Sequence, residues 1–175
     1  MRHDNRFNIV LVGMPGAGKS TVGVILAKHT SRNFIDSDVL IQTIEDRSLQ
    51  DIIDEHGYMG FRGIEEKVLL SLDLSNHVIA TGGSAVYSAA AMGHLKENGV
   101  VVFLNVDFPV LERRIHDFHT RGIALRPGQT FAELFEERCV LYSNYADIII
   151  ECKGLTQESV SKKIADELRR FPTRL

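Results

Sequence analysis

The sequence GMPGAGKS at residues 13–20 combines residue types that together bind phosphate. Its glycines allow the backbone to bend so that successive N–H groups point at phosphate oxygens, and the dipole of a following helix attracts the same negative charge. In such a loop Lys19 reaches the β and γ phosphates of ATP, and the hydroxyl of Ser20 binds Mg²⁺. The pattern therefore predicts a site for ATP and magnesium. The residues predicted to hold the nucleotide are Gly13, Gly16, Ala17, Gly18, Lys19, Ser20 and Thr21.

Two aspartates, Asp36 and Asp38, follow the second apolar run of the chain. Side chains at positions i and i+2 of an extended segment point the same way, and at the carboxyl edge of a parallel sheet they face the place where ligands bind. One carboxylate could hold Mg²⁺ through water while the other faces a substrate hydroxyl. The alternative is that Asp38 only caps the helix that follows it.

Five motifs occur in order along the chain, and the phosphate-binding loop is the first of them. The others are DSD at residues 36–38, FRGIE at 61–65, TGG at 81–83 and ERCVLY at 137–142. With these motifs the chain resembles shikimate kinase over nearly its whole length, from Ile9 to about Ile150. A phosphate-binding loop alone does not separate kinases from GTPases or motor ATPases. The resemblance does, and it implies a kinase.

The resemblance implies transfer of the γ-phosphate of ATP to the 3-hydroxyl of shikimate, a step in aromatic amino-acid biosynthesis. It also implies a nucleoside-monophosphate-kinase-like fold with a five-stranded parallel sheet of order 2-3-1-4-5 and a mobile lid. In that family Asp36 would support Mg²⁺ together with Ser20, and Asp38 would contact the acceptor hydroxyls and take the transferring proton. The residues that the resemblance places around the acceptor are Asp38, Arg62, Gly82, Gly83 and Arg138.

The two arginines suit the carboxylate of the acceptor, because guanidinium groups stay charged and bind carboxylates in a bidentate manner. The glycines would let the backbone approach the acceptor ring. Each arginine has an ordinary alternative as part of a surface ion pair. Arg62 could pair with Glu65 or Glu66, and Arg138 could pair within its own acidic helix.

The predicted lid covers about residues 118–130, a stretch rich in glycine, proline and arginine that is typical of a mobile loop. The family's lid arginine contacts the transferring phosphate, and two residues could fill this role. Arg121 has the expected spacing from the preceding arginine pair, and we favour it as a catalytic and nucleotide-binding residue. Arg126 is followed by proline, as in the family, but lies further along. Arg114 matches the family arginine that packs on adenine.

Ser84 departs from the run of three glycines that is usual in the family. It adds a hydroxyl and a Cβ beside the acceptor ring, and it would strain the backbone if the position needs a positive φ. The acceptor could therefore be another hydroxy acid or a sugar acid such as gluconate. A third possibility is a nucleotide-binding protein without catalytic activity, and the intact Lys19, Ser20 and Asp36 argue against it.

The elements that must position these residues alternate between short apolar strands and amphipathic helices. This alternation predicts an α/β protein in three layers, with a parallel sheet covered by helices on both faces. Residues 1–175 form one predicted domain. The predicted strands are 9–12, 33–35, 78–80, 100–104 and 148–150. The predicted helices are 19–29, 38–55 with a turn near 47–48, 65–72, 111–118, 131–145 and 157–170.

Composition limits the remaining possibilities. A net charge of -3 provides no basic field for nucleic acid, and the polar N-terminus followed by a short apolar run shows neither a secretion signal nor a membrane anchor. Cys139 and Cys152 lack the spacing of a disulfide framework or a metal site, which favours reduced thiols. We therefore expect a cytoplasmic enzyme with a small hydroxy-acid substrate and no nucleic-acid or membrane partner. Nothing in the sequence requires more than a monomer.

Overall fold

A computed structural model describes residues 7–115 and 122–171. A five-stranded sheet occupies its centre, with the strand order β2-β3-β1-β4-β5 and every neighbouring pair parallel. The strands are β1 (Asn8–Val12), β2 (Asn33–Asp36), β3 (His77–Ala80), β4 (Gly99–Asn105) and β5 (Ile148–Glu151). The predicted α/β fold and its sheet order 2-3-1-4-5 are confirmed.

Helices surround this sheet. In the described residues they are α1 (Lys19–Thr30), α2 (Ser37–Glu45), α3 (Leu49–Leu70), α4 (Ala89–Glu97), α5 (Phe108–Arg114), α6 (Phe131–Tyr145) and α7 (Gln157–Arg170), with a 3₁₀ helix at Ala85–Tyr87. None of the helices in these ranges combines the length and the apolar composition that crossing a membrane requires.

The central strand explains why the sheet needs helices on both faces. Every residue of β1 is buried, and its neighbour β4 is buried from Val100 to Leu104. Such continuously apolar strands are stable only when both faces are covered. Because all five strands run parallel, their carboxyl ends meet at one edge. The phosphate-binding loop follows β1, Asp36 ends β2 and Thr81 follows β3, so three of the predicted motifs share this edge.

The long helix predicted at residues 38–55 is two helices, and the turn expected near 47–48 separates them. Ser48 caps α3, because its hydroxyl accepts a hydrogen bond from the backbone N–H of Asp51 at 3.1 Å. The second helix then continues to Leu70 across a kink at Gly57, where φ is 69°. Residues 58–64, which the sequence left unassigned, are therefore helical. As a result Arg62 and Glu65 lie on the same helix.

Residues 85–97 form a 3₁₀ helix and α4, neither of which was predicted. The segment is rich in alanine and lacks a clear apolar period, so periodicity does not reveal it. The Ser88 hydroxyl caps α4 by accepting from the N–H of Ala91 at 2.9 Å. This segment brings Ser84 and Tyr87 to the edge of the sheet where the motifs meet.

The described part of the predicted lid contacts the start of helix α3. Ile123 and Ala124 are buried, and the N–H of Gly122 donates to the side-chain oxygen of Gln50 at 3.2 Å. Helix α5 begins three residues before the predicted start and is described to Arg114. Residues 118–121, including the favoured lid residue Arg121, lie outside the described residues. The mobility of the lid stays a prediction.

Helix α6 begins at a capping box that we expect to stabilise the whole helix. The Thr130 hydroxyl accepts from the N–H of Glu133 at 3.2 Å, and the Glu133 carboxylate accepts from the N–H of Thr130 at 2.8 Å. Thr130→Ala should lower the free energy of unfolding by about 1 kcal/mol, since it removes one cap. Urea denaturation measures this change. Thr130→Ser, which keeps the hydroxyl, should be close to wild type, and an alanine variant as stable as wild type would contradict the prediction.

Candidate active site

The phosphate-binding loop has the backbone that its glycines predict. Gly13, Gly16 and Gly18 have φ values of 150°, 80° and 92°, which only glycine adopts readily. A side chain at Gly16 would also lie 3.1 Å from Ile115, so the loop is closely packed as well as conformationally special. Ala17 is buried in the loop, and Ser20 and Thr21 are exposed in the first turn of α1.

Lys19 lies inside this loop. Its side chain is 8% exposed, and its Nζ donates to the carbonyl oxygens of Gly13 at 2.7 Å and Met14 at 2.9 Å. Burial lowers the pKa of the Lys19 ammonium group to about 8, while the carboxylates of Asp38 and Asp36 oppose the shift. The group is therefore mostly charged at neutral pH. Its position suits a cation that neutralises phosphate.

Asp36 connects the loop to helix α2. Its Oδ1 accepts from the backbone N–H groups of Asp38 at 2.9 Å and Val39 at 3.3 Å, and its Oδ2 accepts from the Ser20 hydroxyl at 2.5 Å. Asp36, not Asp38, is thus the cap of α2, and the capping alternative for Asp38 is wrong. The reason is that α2 begins one residue earlier than predicted, at Ser37.

The pair formed by Ser20 and Asp36 fits a magnesium ion in its donor chemistry. A hydroxyl and a carboxylate are hard oxygen ligands, and Mg²⁺ at nucleotide sites takes only one or two protein ligands besides phosphate and water. Within residues 7–115 and 122–171, no group of three or more His, Cys, Asp or Glu side chains could hold a metal ion by itself. The donor set therefore suits Mg²⁺ carried by a nucleotide.

A cavity of about 50 Å³ lies next to the loop. Its lining includes Lys19, Asp38, Gly83, Ser84, Arg138 and residues 122–124. The structure thus brings together four of the residues that the sequence assigned to catalysis or acceptor binding. The cavity is far smaller than the 300–1,000 Å³ typical of ligand pockets, and residues 122–124 form part of its lining.

Asp38 is the carboxylate of this cavity that faces Lys19. Burial raises the pKa of the Asp38 carboxyl to about 6, and the nearby Lys19 ammonium limits the rise. A carboxylate with a pKa near the working pH is suited to accept a proton and release it again.

Arg138 is only 1% exposed although it carries a permanent charge. Its Nη2 donates to the carbonyl oxygen of Ala124 at 3.2 Å, and its Nε has no hydrogen-bond partner among the described residues. It forms no ion pair within helix α6 in the described structure, because α6 turns this face towards the interior. The alternative that Arg138 forms a surface ion pair within its own helix is therefore wrong.

Arg62 does not line the small cavity. It lines a neighbouring one of about 250 Å³, and its guanidinium carbon lies 3.4 Å from the centre of the Tyr87 ring. Its Nε and Nη2 are buried without hydrogen-bond partners among the described residues. Among the described residues Arg62 forms no ion pair with Glu65 or Glu66. The alternative that Arg62 only forms a surface ion pair is therefore also wrong. Glu66 is bonded instead to the Ser88 hydroxyl at 2.5 Å.

Tyr87 connects the two arginines, and sequence reasoning missed it. The guanidinium of Arg138 lies 5.4 Å from the centre of the Tyr87 ring, and the guanidinium of Arg62 contacts the same ring. The Tyr87 hydroxyl donates to Glu137, whose other oxygen forms an ion pair with Arg126. The second lid candidate is therefore bonded to helix α6 and does not line the small cavity.

Gly82 and Gly83 are required by close packing and not by an unusual φ. A Cβ at Gly82 would overlap the Glu65 carboxylate and lie 2.6 Å from Oδ1 of Asp38. A Cβ at Gly83 would lie 2.7 Å from Nη1 of Arg138. The Tyr142 hydroxyl, donating to the carbonyl oxygen of Gly83 at 2.6 Å, fixes this segment.

Ser84 is buried, and its hydroxyl donates to Oε2 of Glu65. Its φ is −94°, so the strain considered for a serine at this position is absent. Burial, followed by the charge of Asp38, raises the pKa of Glu65 to about 7, while the bond from Ser84 lowers it. Glu65 belongs to the FRGIE motif, but the sequence suggested it only as a surface partner of Arg62.

Arg114 contacts the phosphate-binding loop. Its Nη1 donates to the carbonyl oxygen of Gly16 at 3.0 Å, and its side chain is exposed. The adenine contact that the resemblance implies for Arg114 stays a prediction.

Comparisons with known proteins agree with this geometry. The family model described as shikimate kinase matches residues 15–169. A shikimate kinase of Nitrosococcus oceani is 37% identical over 169 residues, which cover 94% of this chain and 88% of that protein. The structure of shikimate kinase from Acinetobacter baumannii in complex with shikimate is 31% identical and superimposes with a TM-score of 0.87 over 98% of this chain and 97% of that chain.

A sugar kinase from Janibacter shares only the fold. It is 17% identical, with a TM-score of 0.57 over 95% of this chain and 96% of that chain. The family match, the sequence relatives and the solved structures all point to the same group of phosphotransferases. The chain belongs to the shikimate kinase family.

Proposed function

We propose that this enzyme transfers the γ-phosphate of ATP to the 3-hydroxyl of shikimate, with Mg²⁺ bound to the nucleotide. The observation that carries the proposal is the buried set of charges beside the phosphate-binding loop. Lys19, Asp38 and Arg138 line one cavity, so a phosphate-binding cation, a base and a carboxylate-binding cation lie next to one another.

The acceptor is oriented by the opposite charges at the two ends of the site. Arg138, with an unsatisfied Nε, provides a buried cation for the acceptor carboxylate, and Arg62 provides a second across the Tyr87 ring. Asp38 lies on the side nearer Lys19 and accepts a hydrogen bond from the reacting hydroxyl. A carboxylic acid bearing a hydroxyl satisfies both ends, which is the reason for favouring shikimate.

Asp38 then acts as the general base. When its carboxylate takes the proton of the hydroxyl, the oxygen can form its bond to the phosphorus atom, and the bond to the departing ADP breaks. Lys19 stabilises the charge that spreads over the phosphate oxygens. Ser20 and Asp36 would hold Mg²⁺, whose charge would help to neutralise the phosphates. The remaining nucleotide contacts come from the loop backbone and from Arg114 at its mouth.

Entry of the acceptor requires residues 122–124 to move, because the cavity of about 50 Å³ holds little more than water. Return of this segment would exclude water and protect the phosphoryl group from hydrolysis. We retain Arg121 as the residue that would then contact the transferring phosphate, since Arg126 is held by Glu137.

Ser84 keeps a second candidate function open. A side chain at this position reaches the cavity, so it could select another hydroxy acid or a sugar acid such as gluconate.

We also propose that the enzyme works in the cytoplasm. Cys139 and Cys152 are free thiols, and burial raises the pKa of both to about 11, so they stay protonated and unreactive.

A coupled assay of ADP release tests the proposed function. The enzyme is supplied with ATP and Mg²⁺, and ADP release is followed without acceptor, with shikimate and with gluconate. Strong stimulation by shikimate alone is expected. Stimulation by gluconate alone would mean that the acceptor is a sugar acid and not shikimate. Stimulation by neither compound would contradict the proposal of a hydroxy-acid acceptor.

Lys19→Ala should lower kcat by about 10²–10³-fold while the protein stays folded, because it removes a positioned charge that stabilises the transition state. Steady-state kinetics and circular dichroism measure the two properties. Lys28→Ala, an exposed lysine of the same helix, is the matched control and should behave like wild type. A Lys19→Ala enzyme with near wild-type turnover would refute the role of Lys19.

Arg62→Ala and Arg138→Ala should each raise the KM for shikimate roughly 10–100-fold, as the loss of a charged hydrogen bond predicts. The KM for ATP should hardly change. Arg138→Lys keeps the charge of this buried residue but not its planar geometry, and should also bind shikimate poorly. Arg47→Ala, at an exposed ion pair, is the control. If both alanine variants bind shikimate like wild type, the arginines do not hold its carboxylate.

The pH dependence should reveal Asp38. Its raised pKa means that the base is ionised above about pH 6 and protonated below it, so kcat/KM should fall as the pH drops through 6. Asp38→Asn should abolish turnover, since an amide does not accept the proton. In Glu65→Gln the acidic limb should persist, because Glu65, with a pKa of about 7, is already mostly protonated there. Loss of the limb in that variant would assign it to Glu65.

A further inference from the structure

Tyr87 lies between the two arginines that we assign to the acceptor carboxylate. The centre of its ring is 3.4 Å from the guanidinium carbon of Arg62 and 5.4 Å from that of Arg138. Both distances are within the roughly 6 Å over which the face of an aromatic ring attracts a cation. One side chain therefore contacts two cationic residues that come from different helices, α3 and α6.

Two guanidinium groups that face one ring repel each other, and their surroundings must offset this repulsion. Burial lowers the pKa of the Arg62 guanidinium; Tyr87 and Glu137 oppose this shift, and the charge of Arg138 adds to it. A ring face attracts a cation without taking up its N–H groups. Nε of Arg138 and two guanidinium nitrogens of Arg62 are buried without hydrogen-bond partners among the described residues. These donors suit a ligand that carries carboxylate oxygens.

The hydroxyl of Tyr87 fixes the orientation of the ring. It donates to Oε1 of Glu137, the residue that precedes Arg138 on helix α6. The other oxygen of Glu137 forms an ion pair with Arg126 and accepts from the side-chain nitrogen of Gln129 at 3.3 Å. Three side chains thus hold one carboxylate. Because Glu137 is anchored in this way, the ring that it binds has little freedom to turn away from the two arginines.

We propose that Tyr87 is a positioning residue of the acceptor site, whose ring holds the guanidinium groups of Arg62 and Arg138 side by side for the acceptor carboxylate. Glu137 keeps the ring in place. This inference rests on the proposed role of the two arginines in acceptor binding. Tyr87 does not line the cavity beside the phosphate-binding loop, so its effect should be on acceptor affinity and not on phosphoryl transfer.

Tyr87→Leu removes the ring and tests the inference. The KM for shikimate should rise roughly 2–30-fold, the range expected for a partly desolvated cation–π contact, while kcat at saturating shikimate and the KM for ATP stay near wild type. Tyr87→Phe keeps the ring and loses only the bond to Glu137, so its KM should rise less. An unchanged KM in Tyr87→Leu, or an equal rise in both variants, would overturn the role of the ring.

A double mutant separates positioning from packing. In the Arg62→Ala background, Tyr87→Leu should raise the KM by a smaller factor, because the nearer of the two cations is already absent. An equal factor in both backgrounds would mean that Tyr87 acts only through packing, which would overturn the inference. A crystal structure of Tyr87→Leu should show the Arg62 guanidinium moved away from Arg138, and unchanged positions of both guanidinium groups would contradict the proposal.

Glu137→Ala tests the support of the ring. It should raise the KM for shikimate by less than Tyr87→Leu does, and an unchanged KM would overturn the role of Glu137. Glu136→Ala, at an exposed acidic neighbour on the same helix, is the matched control and should behave like wild type. If Arg62→Ala raises the KM and Tyr87→Leu does not, only the role of Tyr87 fails. If shikimate does not stimulate ADP release by the wild-type enzyme, the proposed function fails and the role of Tyr87 fails with it.

Discussion

The active site depends on keeping four charged side chains buried beside one another. Lys19, Asp38, Glu65 and Arg138 carry two positive and two negative charges when ionised, and none has an ion-pair partner at close range in the described structure. Burial shifts the pKa of Lys19 downward and those of Asp38 and Glu65 upward, so at each of these sites desolvation outweighs the attraction of the neighbours. The charges stay separated, which is the condition for the ligand binding proposed above.

The rest of the fold holds this unfavourable set in place. The parallel sheet ends its strands at one edge, the capped helix α6 points Arg138 inward, and Tyr142 fixes the backbone of Gly83. Gly82 and Gly83 lack side chains, which allows Asp38, Glu65 and Arg138 to approach the same short segment. Stability in the apolar core therefore offsets the cost of a polar site, as is general for functional sites.

Local sequence patterns predicted the parallel sheet, the phosphate-binding loop and the aspartates that follow the second strand. The order of the strands and the paired glycines came only from the resemblance to shikimate kinase. Features that depend on tertiary contacts could not be predicted from the sequence. Helix α4 has no clear apolar period, and the importance of Tyr87 is evident only from the two arginines that contact its ring. The hydrogen bond from Ser84 to Glu65 joins residues 19 positions apart. Asp36 and not Asp38 caps helix α2, because sequence patterns locate the end of a helix only to within a residue or two.

A crystal structure with bound shikimate tests the central claim most directly. We expect the acceptor to enter beside the phosphate-binding loop after residues 122–124 move. Its carboxylate should lie on Arg138 and Arg62, and a hydroxyl should lie within hydrogen-bond distance of Asp38. Shikimate bound elsewhere on the protein, or bound with its carboxylate towards Asp38 and away from both arginines, would contradict it.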